Sequence, residues 1–202
     1  DEGGEKDKEL IDRVGNKLKH ASTLEHLTYT FYIGGVSRAL LQELSRHRMA
    51  SPSVKSTRYT LKELKDEKCF TNGLSMIELK NNYASSDEVY ADKHMLRASK
   101  YLVWTENLGV DFSSIVALEN LRLMLIDGVA NDMAKYCLPE SYKTELTWTI
   151  NARSLQNFIS LRSSKAALWE IRDLAKKLYN ILPQEHRYLF TNCIEEDLII
   201  IP

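Results

Sequence analysis

The sequence has few glycines and cysteines, no long apolar run and no excess of either charge. Its eight glycines form neither G-x-x-x-x-G-K-[ST] nor G-x-G-x-x-G, which argues against a P-loop and against a Rossmann dinucleotide site. Cys69, Cys137 and Cys193 are odd in number and lack a C-x-x-C pair, so we expect neither a disulfide framework nor a metal site. No apolar run reaches the roughly 20 residues that cross a bilayer.

The formal net charge is −1, so no overall field draws the chain to nucleic acid or to a membrane. The unpaired cysteines favour a reducing, cytoplasmic location. The 202 residues suffice for one domain with a substantial core, and we predict a single domain over 1–202. Because the sequence begins at Asp1, without a methionine, we expect a further segment ahead of it.

Apolar periodicity predicts an α+β fold, a single mostly helical domain with a small central antiparallel or mixed sheet. Strands are expected at 26–33, where Gly34 and Gly35 would end the strand, and at 144–150, with an extended return at 54–61. The helices are expected at 9–18, 37–48, 88–107, 111–128, 130–137, 151–161 and 166–182, with a short one after 183. Ser37 and Asp111 are expected to cap the helices that begin with them. Pro52 is expected to end the helix at 37–48, and the final "DLIIIP" to pair as a strand or dock on a neighbour.

The stretch "RHRMASPSVKSTRY" (46–59) gathers cations and hydroxyls without an acid. Arginines at 46 and 48 suit a helix C-terminus, where the dipole favours cations by about 0.3–1 kcal/mol each. That explanation leaves Ser51, Ser53, Lys55, Ser56, Thr57 and Arg58 unaccounted for. Guanidinium forks and short hydroxyl donors also suit a phosphate, and in an extended chain Val54, Ser56 and Arg58 would share one face. A phosphate site and a solvated charged surface both fit these residues.

The same stretch resembles the motif R-H-R-x-x-S-x-N-x-x-S-x-R of the flavin-dependent thymidylate synthases, with Ser53 in place of the usual asparagine. Other segments are similar to that family as well. They are "HASTLEH", "GVSRALLQELSRHR", "AKYCLPE" with Lys135 where arginine is common, and "NARSLQNFISLRSSKAALWEI". The resemblance extends from about residue 20 to 175, and 62–109 contributes nothing recognisable to it.

The resemblance implies a reaction and a set of ligands. Members of this family convert dUMP to dTMP, taking a methylene group from methylenetetrahydrofolate and reducing equivalents from NADPH through FAD. They are homotetramers with active sites shared between subunits, and their fold is not a Rossmann fold. The chain is therefore expected to be a methyltransferase and a flavoprotein of thymidylate biosynthesis.

By the same resemblance, residues fall into a cofactor group and a substrate group. The residues expected to contact FAD are Arg46, His47, Arg48, Asn151, Arg153 and Asn157, with Ser22 and Glu25 supplied by a neighbouring subunit. The residues expected to contact dUMP are Glu43, Leu44, Arg46, Val54, Lys55, Ser56, Thr57, Arg58, Lys135 and Arg162. Asn151 also has the position of a helix N-cap, and Ser22 and Glu25 of a capping turn.

The resemblance also implies a catalytic residue, Arg162, which matches the family arginine that contacts the uracil ring. A cation beside the acidic imide of uracil stabilises the ionised ring and enriches the carbon to be methylated, without an enzyme thiolate. A helix-end salt bridge is the alternative for this arginine. Glu43 and Ala166 depart from the family, which usually carries glutamine and, in some members, histidine there. We expect Glu43 to face a ring N–H or an arginine rather than a phosphate.

Two other functions fit parts of the sequence. One is a phosphate- or nucleotide-binding protein that lacks catalysis, which the departures at 43, 53 and 166 would explain. The other is a nucleic-acid module that combines the basic turn with stacking by tyrosines, against which the net charge argues. A yellow protein that NADPH bleaches would favour the enzyme, and a colourless protein that binds RNA with a steep salt dependence would favour the nucleic-acid module. A yellow protein unable to form dTMP would favour the binding protein without catalysis.

Overall fold

A computed structural model describes residues 4–71, 81 and 86–193. The strands are β1 (Thr28–Ser37), β2 (Ala50–Val54) and β3 (Lys143–Asn151). The α-helices are α1 (Glu5–Ile11), α2 (Arg38–Leu44), α3 (Thr57–Thr60), α4 (Ser86–Ala91), α5 (Lys93–Ala98), α6 (Leu108–Ile126), α7 (Asn131–Ala134), α8 (Ala152–Arg162) and α9 (Trp169–Ile181). A π-helical turn covers Asp12–Lys17, and 3₁₀ turns cover Ala21–His26, Leu61–Asp66, Lys135–Cys137 and Gln184–Leu189.

The strands form one antiparallel sheet in the order β1-β3-β2. β3 is central, and its buried positions alternate from Thr144 through Leu146 and Trp148 to Ile150, as period-two side-chain geometry requires. A mostly helical chain around a small sheet is the α+β architecture that the sequence predicted. None of the helices in the described part of the chain combines the length and apolar character needed to cross a bilayer. The terminal "DLIIIP" lies outside the described residues.

Two predictions around the first strand were wrong. β1 continues through Gly34 and Gly35 to Ser37, because Gly35 adopts a φ of +72° that glycine tolerates within an irregular strand. The following helix does begin as expected, since the Ser37 hydroxyl accepts a hydrogen bond from the Leu40 amide at 3.0 Å. It ends at Leu44, well before Pro52, which instead lies in β2 at an edge of the described sheet, where a missing N–H is tolerated.

Two other boundaries also differ. The predicted extended return stops at Val54, and Arg58 lies on α3, so these two residues do not share a strand face. The predicted helix over 88–107 is broken at Asp92. That residue has extended backbone and caps α5, its carboxylate accepting from the His94 amide at 2.6 Å. Residues 99–107, the remainder of the predicted helix, are not helical.

The predicted cap of α6 was also misplaced. Asn107, rather than Asp111, caps this helix, its side-chain oxygen accepting from the Gly109 and Val110 amides. Asp111 is buried instead, where it accepts hydrogen bonds from Thr105 and from the Tyr90 hydroxyl. The helix still ends as expected before Gly128, which has a φ of +88°.

The chain divides into two compact units. The first unit comprises Asp1–Ile33, Gln42–Ser53 and Thr147–Pro202, and the second comprises Gly34–Leu41 and Val54–Leu146. In the first unit, side chains of β3 and α8 such as Trp148 and Phe158 are fully buried. In the second unit, α6 supplies much of the core through residues such as Phe112 and Leu118. The single domain over 1–202 stays a prediction.

Candidate functional site

The first unit contains a cavity of about 810 Å³, within the range of roughly 300–1,000 Å³ that is usual for ligand sites. Arg162 and every predicted cofactor residue except Ser22 line it. The lining residues are Glu25, Arg46, His47, Arg48, Met49, Asn151, Arg153, Ser154, Asn157, Leu161 and Arg162. Two separated stretches of sequence, the basic turn after α2 and the helix α8, therefore meet at one cavity.

One face of helix α8 forms part of the cavity lining. Arg153, Asn157 and Leu161 recur every fourth residue, so they lie along one helical face. Asn151 caps the helix, its Oδ1 accepting a hydrogen bond from the Ser154 amide at 2.8 Å. The predicted cap is confirmed. Since this contact uses the amide oxygen, the Asn151 NH₂ group is directed away from the cap and retains two donors.

The basic turn begins where α2 ends. The amides of Arg46 and His47 bond back to the carbonyls of Glu43 and Leu44, at 3.4 and 3.0 Å. The chain then turns through Met49, whose φ is +59°, into β2. This geometry leaves the arginines of the turn beyond the helix, while the Leu44 side chain stays 1% exposed in the core.

Arg162, the last residue of α8, contacts two residues of the first unit. Its Nε donates to Nε2 of His47 at 2.8 Å, and its Nη1 donates to Oε2 of Glu43 at 2.9 Å. Its Nη2 lies 3.4 Å from the Glu43 carbonyl oxygen. The side chain of Arg162 is 19% exposed. Glu43 therefore faces an arginine, one of the two arrangements expected for this departure from the family.

His47 is held as a neutral acceptor. Burial lowers the pKa of His47 and the adjacent Arg162 lowers it further, while the Glu43 carboxylate opposes both. Because Nε2 accepts from the arginine, the ring proton is assigned to Nδ1. The ring packs edge-on against Phe158 at 4.8 Å between centroids, and Phe158 packs in turn against Trp148 at 5.1 Å. Phe158 thus restrains the imidazole, and Trp148 supports Phe158 from behind.

The 3₁₀ turn at Ala21–His26 reaches the cavity of its own chain. Glu25 accepts from Arg153 Nη1 at 2.5 Å, across a pair whose side chains are about half exposed. Ser22 lies exposed on the same turn, outside the lining of the cavity. That Ser22 and Glu25 contact the FAD of a neighbouring subunit stays a prediction.

The residues predicted to bind the dUMP phosphate lie in the second unit. Arg58 forms two parallel contacts with Asp132, Nε to Oδ1 at 2.9 Å and Nη2 to Oδ2 at 3.0 Å. Lys55 pairs with Glu145 at 2.8 Å, and Lys135 lies 6.0 Å from the ring centroid of Tyr136. Val54 ends β2, Ser56 precedes α3, and Thr57 is its first residue. The cations that were expected to bind phosphate thus include two that already pair with carboxylates.

Sequence reasoning missed several residues of these sites. Met49 and Leu161 line the cavity, and the spacing of Leu161 from Asn157 on α8 could have indicated it. Asp132 and Asn131 hold Arg58, the latter by a hydrogen bond of 2.7 Å to its carbonyl. No local sequence signal points to these two, because each meets Arg58 across more than 70 residues of sequence.

Comparisons with known proteins identify the family. The profile of the family described as "Thymidylate synthase complementing protein" matches residues 1–186. The flavin-dependent thymidylate synthase of Wolinella succinogenes is 64% identical over 197 residues, covering 98% of this chain and 86% of that protein. That of Campylobacter jejuni is 63% identical over 196 residues, covering 97% and 85%.

A solved structure agrees with these relatives. The flavin-dependent thymidylate synthase of Helicobacter pylori, in complex with FAD and dUMP, is similar with a TM-score of 0.81 and 54% identity. The match covers 96% of this chain and 86% of that one. Family, fold and enzyme class thus agree with the expectation drawn from the arginine-histidine-arginine motif. The chain belongs to the flavin-dependent thymidylate synthase family.

Proposed function

We propose that this chain converts dUMP to dTMP, with methylenetetrahydrofolate as the carbon donor and NADPH as the reductant through FAD. The observation that carries the proposal is the cavity of the first unit, in which Arg162 lies beside the basic turn and the polar face of α8. The H. pylori relative, solved with FAD and dUMP, supports the choice of ligands. The alternatives without catalysis have no comparable support.

The residues around the cavity suit FAD. Guanidinium groups of Arg46, Arg48 and Arg153 and the amides of Asn151 and Asn157 line one space, and such donors match the diphosphate and the polar ring edges of a flavin dinucleotide. When bound, FAD supplies the redox chemistry that turns a transferred methylene into a methyl group. The protein residues orient it and neutralise its phosphates.

Arg162 is assigned to the uracil ring. Its guanidinium is permanently charged and largely buried, so it acts in surroundings where a fixed charge is stronger than in water. Beside the imide it stabilises the ionised ring and raises electron density at the carbon that receives the methylene group. No thiolate is needed, and burial raises the pKa of the Cys193 thiol to about 11, which disfavours that cysteine as a nucleophile.

The dUMP phosphate is assigned to the second unit, with Arg58 and Lys135 as cations and Lys55, Ser56 and Thr57 as further donors. Arg58 supplies a planar fork matched to phosphate oxygens. The predicted substrate group is completed by Glu43, Leu44, Arg46 and Val54, with Leu44 contributing its backbone because its side chain is buried.

We further propose a cytoplasmic homotetramer with shared sites, in which Ser22 and Glu25 reach the FAD of a neighbouring subunit. Exposed apolar side chains on and after α6, among them Ile126, Met133 and Tyr136, offer surface for association. The three cysteines are free thiols, as is usual in a reducing compartment. Folate is the additional ligand, and neither nucleic acid nor membrane is a partner.

Anaerobic turnover tests the proposal. The purified protein is mixed with dUMP, methylenetetrahydrofolate and NADPH, and dTMP is quantified by chromatography, with each reactant omitted in turn. We expect a yellow protein whose flavin absorbance bleaches with NADPH and dTMP that forms only in the complete mixture. A flavin-loaded protein that forms no dTMP would contradict the proposal. Light scattering of the same sample tests the tetramer.

A further inference from the structure

The carboxylate of Glu43 lies between two arginines of the first unit. Its Oε2 accepts from Nη1 of Arg162 at 2.9 Å, and its Oε1 lies 3.5 Å from Nη1 of Arg46. The side chain is 27% exposed, so the contact with Arg162 is shielded from bulk water on most sides. Glu43 therefore makes its closest side-chain contact with the guanidinium assigned to the uracil ring.

Two contacts on different atoms fix the plane of that guanidinium. His47 accepts from Nε and Glu43 accepts from Nη1, so rotation about the last bonds of the Arg162 side chain would break one or both hydrogen bonds. A guanidinium has five N–H donors, and these contacts leave donors on Nη1 and Nη2 for a ligand. Without Glu43, the imidazole would be the one short side-chain contact that restrains Arg162 among the described residues.

We propose that Glu43 is a positioning residue for thymidylate formation, acting through Arg162, which it orients jointly with His47. The inference rests on the proposed function. It assigns to the carboxylate a task different from contact with the nucleotide. It also explains why an anion is tolerated beside a site for a phosphorylated substrate, since its charge is directed at a guanidinium rather than at a phosphate.

The arrangement requires a neutral His47. Protonation would replace the Nε2 acceptor by a donor and would set a second cation against Arg162. Burial lowers the pKa of His47, Arg162 lowers it further, and Glu43 opposes both by raising it. Phe158, which packs against the imidazole, carries no charge. The other charged groups of the cavity are Glu25, Arg46, Arg48 and Arg153.

Kinetics of Glu43→Ala and Glu43→Gln form the first test. Misplacing a catalytic group by about 1 Å can cost about 100-fold, so we expect kcat of Glu43→Ala to fall by about that factor. KM for dUMP should change little, because the phosphate contacts remain. Glu43→Gln keeps an acceptor oxygen for Nη1 and should recover most of kcat. Full activity in Glu43→Ala, or a raised KM at unchanged kcat, would overturn the proposal.

The ionisation of His47 gives a second readout that general damage to the fold would not produce. In Glu43→Gln the carboxylate no longer favours the imidazolium, so the pKa of His47 should fall and the acid limb of the pH–rate profile should move to lower pH. The chain has five histidines, and NMR titration with His47→Gln for assignment measures this pKa without any ligand. An unchanged pKa in Glu43→Gln would overturn the proposal.

A matched control removes an unrelated carboxylate of the same unit. Asp173 pairs with Lys177 on the exposed surface of α9 at 2.7 Å, and Asp173→Asn should leave both the His47 titration and the rate profile unchanged. Failure of the proposed function would appear differently. The wild-type protein would then form no dTMP, while the His47 titration would still respond to Glu43→Gln if the contact holds.

Discussion

The guanidinium of Arg58 is held by the carboxylate of Asp132 in a two-pronged contact. Nε to Oδ1 measures 2.9 Å and Nη2 to Oδ2 measures 3.0 Å, the fork-to-fork geometry that guanidinium groups also use for phosphate. Both side chains are more than half exposed. Asp132 therefore occupies the donors that the proposed function gives to the dUMP phosphate, and substrate has to compete with it.

The first prediction concerns this competition. Asp132→Asn removes the charge that holds the Arg58 fork, and exposed ion pairs are weak, so we expect KM for dUMP to fall by about two- to fivefold. Steady-state rates across a dUMP series measure the change, with kcat as the internal reference. Asp132→Asn combined with Arg58→Lys should show no such gain. A higher KM in Asp132→Asn would mean that Asp132 orients Arg58 for substrate rather than competing with it.

The second prediction concerns Arg162 itself. Arg162→Lys keeps the positive charge but loses the Nε–H that contacts His47 and the fork that reaches Glu43. We expect kcat to fall by about 10²–10³-fold, the usual cost of removing a donor placed where charge develops. Bound flavin, measured by absorbance, should stay stoichiometric.

A control for that variant is Arg172→Lys. Arg172 lies on α9 and donates to the Lys165 carbonyl at 3.2 Å on the exposed surface. Its replacement should leave the rate unchanged. If Arg162→Lys were as active as the wild type, the assignment of Arg162 to the uracil ring would be wrong.

Local signals in the sequence were sufficient for parts of this fold. The hydroxyl of Ser37 and the amide of Asn151 cap helices as expected, because a cap is decided within three or four residues. Arg153 and Asn157 lie on one face of α8 because they are four residues apart, and both line the cavity. Periodicity likewise predicted β3, since one strand at the centre of a sheet shows its alternation clearly.

Contacts between residues that are far apart in the sequence could not be predicted from local sequence patterns. His47 and Arg162 are separated by 115 positions, and the motif resemblance brought them into one site without indicating that they touch. Glu43 was expected to face either a ring N–H or an arginine. In the structure Glu43, near the end of α2, contacts Arg162 at the end of α8. The break at Asp92 was missed because apolar spacing continued across it, while the capping contact with His94 ended the helix.

The third prediction separates two roles of Asn151. Its oxygen caps α8 and its NH₂ group is proposed to contact FAD. Asn151→Ala loses both, and we expect a loss of about 1 kcal/mol in the free energy of unfolding together with weaker flavin retention. Asn151→Asp keeps the capping oxygen, so stability should stay near that of the wild type while flavin retention falls.

Thermal denaturation and flavin release during gel filtration measure these two effects for both variants. Equal flavin retention in Asn151→Asp and the wild type would remove Asn151 from the cofactor group. Equal stability of Asn151→Ala and the wild type would show that the cap contributes nothing measurable.

The fourth prediction concerns a buried ion pair in the second unit. Glu119 and Arg122 are 9% and 11% exposed, with 2.7 Å between Oε1 and Nη2, and Oε2 also accepts from the Phe70 amide at 2.9 Å. Burial alone would raise the pKa of Glu119, but the hydrogen bonds from Arg122 and Phe70 outweigh it and hold the pKa below the ordinary 4.5. The carboxylate therefore stabilises the folded chain above that pH, and this contribution is lost as the pH falls through the lowered pKa.

Removing one partner of this pair should be costly. Arg122→Met leaves a buried carboxylate without its cation, and we expect a loss of about 3–5 kcal/mol in the free energy of unfolding at neutral pH. The double variant Glu119→Gln/Arg122→Met should recover part of the lost free energy of unfolding, because it buries no unpaired charge at this position. In Glu119→Gln alone, stability should depend less on pH below 4.5. Urea denaturation at fixed protein concentration measures all three variants, and a loss under about 1 kcal/mol for Arg122→Met would mean that the pair behaves as a surface pair.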